Sequence, residues 1–572
     1  MKILKIDLSE YSYEIEERDD LEDWLGGTGL AVKLMKEEID PKVDPLSEDN
    51  VIIFAIGPFT PAYPLASKTV AMFKSPLTGN LGESHAGGRT AMAIANAGYR
   101  AIVIKGKSHK PIYVVVENDK VYFRDARVLW GIADSLVVGR IIAEREKGRG
   151  MRTVMRIGGA GVKLVRYACV TTETYRHFGR LGLGAVFGSK NLRALVVIGR
   201  GSFKVKDVKA YKEVYKEIYN LALKSDAMKK YHLIGTPVNV KPLNEIRALP
   251  TRNLTSTTFE KADEISGEAF AEYSLGRRIA CAHCPIACIH IATLRLPYEN
   301  EPYFYRTIMI SYDYELIYAL GSMLGVESRE GVLRLIHKVE SLGLDAMSTG
   351  VCLAWATEAL QRGLISERET LVRLEFGNVE NYLQAIEYLY QQPNDFYRIL
   401  AEGVEKASDV YGGKEFALAF GGNEMPGYHA GYATHIGYLI GLRHSHLDNA
   451  GYALDQKITE YPPPEELVDK LVKEECWRQV LSSLVVCFFA RGVYKPEIVS
   501  KAFKPLGYEI SEDELVKMGE EIYKEKLKLK VDMGFKKPRI PDRIFETECT
   551  HGKLERDYIE RALDYWWKKY VK

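Results

Sequence analysis

Short apolar runs dominate the first two hundred residues. Val51-Ile-Ile-Phe-Ala-Ile, Ala101-Ile-Val-Ile-Lys, Ile112-Tyr-Val-Val-Val and Ala194-Leu-Val-Val-Ile-Gly are rich in β-branched residues, the pattern of strands. The opening Met1-Lys-Ile-Leu-Lys-Ile-Asp-Leu alternates apolar and polar positions and predicts another strand. Glycine clusters at 26–29, 79–88, 158–161 and 179–188 punctuate these runs; such clusters permit positive φ and let backbone approach a ligand closely. From about residue 206 the spacing turns helical, as in Val208 to Ala222, Leu333 to Leu342 and Val351 to Leu364. A last section opens with a loop region rich in glycine and histidine. It continues through helical stretches at Pro464 to Phe489 and Ser511 to Lys526. The predicted class is α+β: a β-rich domain over 1–205, then two mostly α-helical domains over 206–415 and 416–572.

Charge and length narrow the function. The chain has 572 residues with 78 basic and 77 acidic side chains, a net charge of +1. No global field therefore favours nucleic acid or an acidic membrane surface. The longest apolar run, around Val485 to Ala490, is too short to span a bilayer, and the N-terminus lacks a signal peptide's apolar stretch. A cytoplasmic protein without membrane or nucleic-acid partners is expected. Lys, Glu, Arg and Tyr are abundant and Gln is scarce, a composition common in proteins from hot environments.

Eight cysteines in so long a chain do not form a disulfide framework. Three of them crowd into Cys281-Ala-His-Cys284-Pro-Ile-Ala-Cys288. Thiolates at this spacing can wrap three corners of an iron–sulfur cube. Cys487, within Leu484-Val-Val-Cys-Phe-Phe, is the candidate for the fourth corner. The same three cysteines with His290 or His283 would also suit zinc. Cys169, Cys352, Cys476 and Cys549 stand alone and read as buried structural residues.

The glycine loops point to phosphate. Ser75 to Arg89 offers many backbone donors beside Lys68, Lys74 and Arg89, and Phe178-Gly179-Arg180 adds a cation. Several such loops in one domain imply a large ligand with phosphate groups. Gly182-Leu-Gly184-Ala-Val-Phe-Gly188 matches a loose dinucleotide fingerprint and keeps an NAD-dependent oxidoreductase as an alternative, beside a non-catalytic zinc-stabilised binding protein. Proton-transfer groups concentrate in Ser311-Tyr-Asp313-Tyr314-Glu315, where a carboxyl entering a buried helix would have its neutral form favoured. They gather again in Arg443-His444-Ser-His446-Leu-Asp448.

Taken in order, these segments resemble the aldehyde:ferredoxin oxidoreductase family over nearly the whole chain. The matching stretches are Gly26-Gly-Thr-Gly29, Ile56-Gly-Pro-Phe-Thr60, Lys74 to Gly79, Gly179 to Lys190, the cysteine cluster, Tyr314-Glu315, Gly343 to Gly350 and Glu424-Met-Pro. The resemblance implies a β-rich base carrying two pterins whose dithiolenes bind one tungsten or molybdenum. It also implies a [4Fe-4S] cluster beside one pterin and a magnesium ion bridging the pterin phosphates. The implied reaction converts a small aldehyde and water to a carboxylic acid, with electrons leaving to ferredoxin or an iron–sulfur subunit.

Carried over by position, Cys281, Cys284, Cys288 and Cys487 match the cluster ligands. Glu315 matches a glutamate near the metal, and Tyr428 a tyrosine facing substrate. The family histidine falls at His446, with His444 as the other option. Lys68 stands where the family commonly has a pterin-contacting arginine, and His85 where an asparagine usually helps bind magnesium; Gly87 and Arg180 follow the pattern. Of two pterin segments written D-x-x-G-L-[CD], the first reads Glu340-Ser-Leu-Gly343-Leu344-Asp345. The second reads Ser482-Ser-Leu-Val485-Val-Cys487 and keeps only its cysteine. No E-x-x-H pair occurs near 330–340, so an atypical oligomer or a heteromer is expected.

Overall fold

The computed structural model describes residues 1–572 except Thr174 and Glu299, and Pro302 by its backbone alone. The first two hundred residues build two six-stranded mixed sheets. The first contains β1 (Lys2–Asp7), β2 (Ser12–Glu17), β3 (Ile52–Ala55), β4 (Thr69–Lys74), β5 (Leu81–Ala86) and β6 (Ala101–Lys105), in the order β2-β1-β6-β3-β4-β5. The second contains β7 (Ile112–Glu117), β8 (Lys120–Asp125), β9 (Met151–Ile157), β10 (Val170–Thr171), β11 (His177–Phe178) and β12 (Leu192–Gly199), in the order β11-β10-β9-β12-β7-β8. Only β1/β6 and β7/β12 pair in parallel.

Both faces of these sheets are covered, which explains why their runs are apolar without alternation. Ile52 and Phe54 join Val114, Val116, Leu195 and Val197 in a core between the sheets. Ile53 and Ala55 turn the other way, against Leu30, Leu34 and Met35 of helix Gly27–Glu38. On the outer face of the second sheet Val154 and Val196 pack on Val138 and Ile142 of helix Ser135–Arg145.

The remainder is mostly helical. Its largest apolar core runs from Val240 to Trp566 and also takes in Tyr167 and Ala168 of the first part. Helices Arg329–Leu342 and Ala346–Gln361 enclose Gly343-Leu344-Asp345. The sequence reading missed a three-stranded antiparallel sheet here: β13 (Leu275–Ile279), β14 (Ile289–Tyr298) and β15 (Glu301–Tyr312). Its register pairs Ile279 with Ile289 and His290 with Tyr312, so one end of the sheet carries both the cysteine loop and the start of helix Tyr314–Leu320. Among the described residues no helix is long and apolar enough to cross a membrane.

A separate apolar cluster forms where three distant segments meet. Phe59, Ala62, Tyr63 and Leu65 of the first domain pack with Ile286 of the cysteine loop and with Leu484, Val486 and Phe488; Cys284, Cys288 and Cys487 pack against it. Leu65 ties these strands of chain together, its N–H donating to His283 O (3.3 Å) and its carbonyl accepting from Cys487 N (2.8 Å).

Candidate functional site

An internal cavity lies at the junction of the β-rich and helical parts, with about 1850 Å³ of empty space, part of it open to solvent. Its wall takes residues from many of the segments singled out above: Lys68, His85, Gly87, Arg180, Cys281, Cys288, Glu315, Leu344, Asp345, Tyr428, His446 and Cys487. Cys284 does not line it but packs in the adjoining apolar cluster. Gly343 stands just behind it, ending helix Arg329–Leu342 at φ 73°. A Cβ at Gly343 would lie 2.8 Å from Gly158 N. Left-handed backbone and close approach together call for glycine.

On the cluster side, a Cβ on Gly87 would stand 2.9 Å from Cys281 Sγ, so the missing side chain makes room for the sulfur. Ala282 N donates to Gly88 O at 2.8 Å and holds the loop there. Burial first, then neighbouring sulfurs including Cys487, push up the thiols of Cys284, to about 12, and of Cys288. Burial also raises Cys281, with Cys487 again contributing and Arg176 opposing. Three buried thiols raised beside one another and beside the Cys487 sulfur call for a cationic partner. Among the described residues no group of three or more His, Cys, Asp or Glu is close enough to hold one metal ion. His290, one of the two histidines offered for a zinc site, turns both ring nitrogens to backbone carbonyls, Cys288 O at 3.0 Å and Leu233 O at 3.3 Å.

Glu315 sits in the first turn of helix Tyr314–Leu320. Its Oε1 accepts from Tyr428 Oη at 3.0 Å and lies 3.2 Å from His446 Nε2. Burial pushes its pKa up, but the contacts with His446 and Tyr428 outweigh burial and hold it below its ordinary value. This corrects the expectation of a neutral Glu315. The carboxyl pushed up instead is Asp313, to about 6, by burial and by the neighbouring Glu315 charge. His444 is also corrected. Its φ of 53° turns the ring away from the cavity, with Nδ1 on Tyr438 O at 2.8 Å, and a Cβ on Gly421 would meet Nε2 at 2.2 Å. His446 is the histidine that reaches the cavity.

The first-domain cations divide. Lys74 Nζ donates to Pro41 O at 2.6 Å and Arg89 pairs with Glu173 at 3.3 Å, leaving Lys68 on the cavity wall. Arg180 donates from Nε to Asp345 Oδ2 at 3.0 Å and from Nη2 to Glu424 O at 2.8 Å. Asp345 is otherwise spent on capping helix Ala346–Gln361 and on Ser348 Oγ, so it aims Arg180 rather than facing a ligand unshared. The glycines of 182–188 serve packing. A Cβ on Gly184 would lie 2.5 Å from Cys169 O, and one on Gly188 1.9 Å from Gly161 O, which leaves no room for a dinucleotide.

Among the described residues, five buried polar atoms on the cavity wall have no hydrogen-bond partner: Arg180 Nη1, Tyr312 Oη, Glu340 Oε1, Asn423 Oδ1 and His446 Nδ1. Unsatisfied groups of this kind each cost about 1–3 kcal/mol, and their convergence on one cavity fits a large polar ligand. Sequence reasoning did not single out Asn423 or Arg176, and it quoted Tyr312 and Arg443 only within the two proton-transfer segments; no spacing marks Asn423 and Arg176, because tertiary packing alone brings them there. Glu340 was noted only as a departure from a motif, yet burial pushes it up to about 8.

Two family models account for almost the entire chain. The model for the aldehyde ferredoxin oxidoreductase N-terminal domain matches residues 3–199, and that for domains 2 and 3 matches residues 211–571. The chain belongs to the aldehyde ferredoxin oxidoreductase family. Among its relatives, the tungsten-containing aldehyde ferredoxin oxidoreductase of Thermococcus kodakarensis is 32% identical over 96% of this chain and 92% of its own length. The Pyrococcus furiosus protein of the same description is 31% identical over the same shares. A Pyrococcus furiosus aliphatic sulfonate oxidoreductase, WOR-like subunit, is 30% identical over 71% of this chain and 66% of that protein. The fold also matches the active site complex BamBC of benzoyl coenzyme A reductase, with a TM-score of 0.82 at 20% identity, over 99% of this chain and 93% of that one. In the family's frame, the cavity joins the first domain to domains 2 and 3.

Proposed function

We propose that this aldehyde ferredoxin oxidoreductase family member oxidises aldehydes to carboxylic acids at a tungsten or molybdenum bis-pterin centre. Electrons leave through a [4Fe-4S] cluster to ferredoxin or an iron–sulfur subunit. The observation that carries this reading is the shared wall: three of the four candidate cluster cysteines and the Glu315–His446–Tyr428 group line one cavity. Electron exit and proton transfer are thereby joined in one chamber.

The residues fit the cofactors unevenly. Cys281, Cys284, Cys288 and Cys487 would hold the cubane, whose corners lie farther apart than the ligands of a single ion. Arg180, with an unshared N–H, and Lys68 would meet anionic groups of the pterins. A magnesium ion is the poorest fit. His85 offers an imidazole where a hard cation prefers oxygen, its Nε2 is 2.6 Å from Glu83 Oε1, and burial together with nearby Arg443 and Lys68 holds it down at about 4. Two cations already occupy the surroundings of any divalent ion there.

When bound, the metal–pterin centre supplies a two-electron acceptor and an electrophilic site for water-derived oxygen. The protein's part is proton handling. Glu315, kept ionised, takes a proton from water or substrate on its unshared Oε2. Tyr428 and His446 hold Oε1, and His446 carries the proton onward. Asp313 is poised to titrate near neutrality beside them.

Anaerobically purified native protein tests the reading by iron, tungsten, molybdenum, magnesium and zinc analysis together with dye-linked aldehyde oxidation. Iron with one heavy metal and aldehyde-dependent dye reduction is the expected result. Zinc alone, with no aldehyde turnover, overturns it.

A further inference from the structure

The cavity is not uniform. Beside Glu315 its wall changes from charged groups to rings. Tyr428, whose hydroxyl touches Glu315, lies with its ring centroid 4.3 Å from Tyr452 and 5.1 Å from His446. Tyr231 of helix Asp226–Leu233 stacks on Phe489 at 4.3 Å with 23° between the planes. Leu316 and Leu447 complete this end of the wall. Tyr231, Phe489, Tyr428 and Tyr452 all line the same cavity. Of these, Tyr231, Tyr452 and Phe489 are only half-buried.

From these rings we infer that the chamber beside Glu315 selects flat aromatic aldehydes over short aliphatic ones. This rests on the proposed aldehyde oxidation and names its substrate class. An aryl ring between the Tyr231–Phe489 pair and the Tyr428–Tyr452 pair meets aromatic surface in offset or edge geometry. Its aldehyde carbon then lies toward the Glu315 carboxylate. A short alkyl chain makes none of these contacts. The reaction balances as aldehyde plus water giving carboxylate, three protons and two electrons, the electrons passing to an iron–sulfur carrier or, in the assay, to a viologen dye. Two ring contacts favour an aryl substrate by roughly tenfold or more over a saturated ring of equal size.

The test uses native holoenzyme, with kcat/KM measured for benzaldehyde, cyclohexanecarboxaldehyde and acetaldehyde under viologen reduction. Benzaldehyde is expected to exceed the saturated ring by roughly tenfold. Phe489→Ala is expected to narrow that preference, because one of the two ring contacts is lost while the Tyr428–Tyr452 pair remains. Phe489 lies two residues from Cys487, so Tyr231→Leu, on a different element, is measured beside it with metal content as a control. Equal kcat/KM for the flat and saturated rings in wild type, or an equal fall for all three aldehydes in metal-replete variants, overturns the inference while leaving aldehyde oxidation standing. No turnover of any aldehyde overturns both.

Discussion

Replacing Glu315 by glutamine removes one charge and leaves the shape of the chamber. The carboxamide oxygen can still accept from Tyr428, now 3.0 Å from Oε1. What disappears is a group able to take a proton on Oε2 and the pairing with His446, 3.2 Å away. General-base catalysis is worth about 10²- to 10⁴-fold, or about 3–5 kcal/mol of barrier. His446 stays within reach as a second proton carrier, so kcat is expected to fall toward the lower end, about 10²- to 10³-fold. The assay is anaerobic initial-rate viologen reduction on protein of known iron and tungsten content, because a variant that loses metal says nothing about protons. A Glu315→Gln protein with full metal content and a rate within about threefold of wild type would refute the reasoning, since even weak base catalysis exceeds that margin.

Cys487→Ser is expected to lower iron content and bleach the visible iron–sulfur absorbance; an unchanged spectrum would remove Cys487 from the ligand set. Arg180→Met leaves Asp345 held by Met347 N and Ser348 Oγ, so the fold should survive by circular dichroism while bound tungsten falls at least about tenfold. Normal tungsten content would show that Arg180 does not grip the pterin. Glu340 is raised from 4.5 to about 8 in the folded chain, by burial first. The cofactor-free fold therefore keeps a proton that the unfolded chain releases, and its stability declines as pH rises through that window. Glu340→Gln should flatten Tm against pH there and raise it at pH 8. A wild type that gains stability over the same window, relative to the variant, would contradict the assignment.

The cysteine loop and Glu315 were legible in the sequence because their chemistry lies in residue type and short spacing. His444 and His446 were not separable. Both lie in one loop, and only the left-handed turn at His444 decides which ring faces inward. The glycines at 182–188 misled because a backbone that must pack against backbone, as at Gly161, needs glycine as much as a phosphate loop does. The second of the two D-x-x-G-L-type segments hid in the opposite way. Val485 replaces the expected glycine yet keeps φ at 53°, and Val486 N donates to Leu481 O just as Leu344 N donates to Val339 O. The two helices therefore end in the same turn although one motif is erased. Left-handed backbone costs a β-branched residue about 1–2 kcal/mol, so neighbouring contacts must impose it. Asp313 was quoted but passed over, since its raised pKa depends on burial and on Glu315, neither visible in a local pattern.

The covalent order of the four sulfurs has a consequence for how the protein is made. Three belong to one loop in the middle of the chain, while the fourth follows a long helix near the C-terminal end and is anchored by Leu65 from near the beginning. For the proposed cluster, the fourth ligand is therefore missing until most of the polypeptide has emerged from the ribosome. On that proposal metal loading comes late, and it reports that start, middle and end of the chain have found one another.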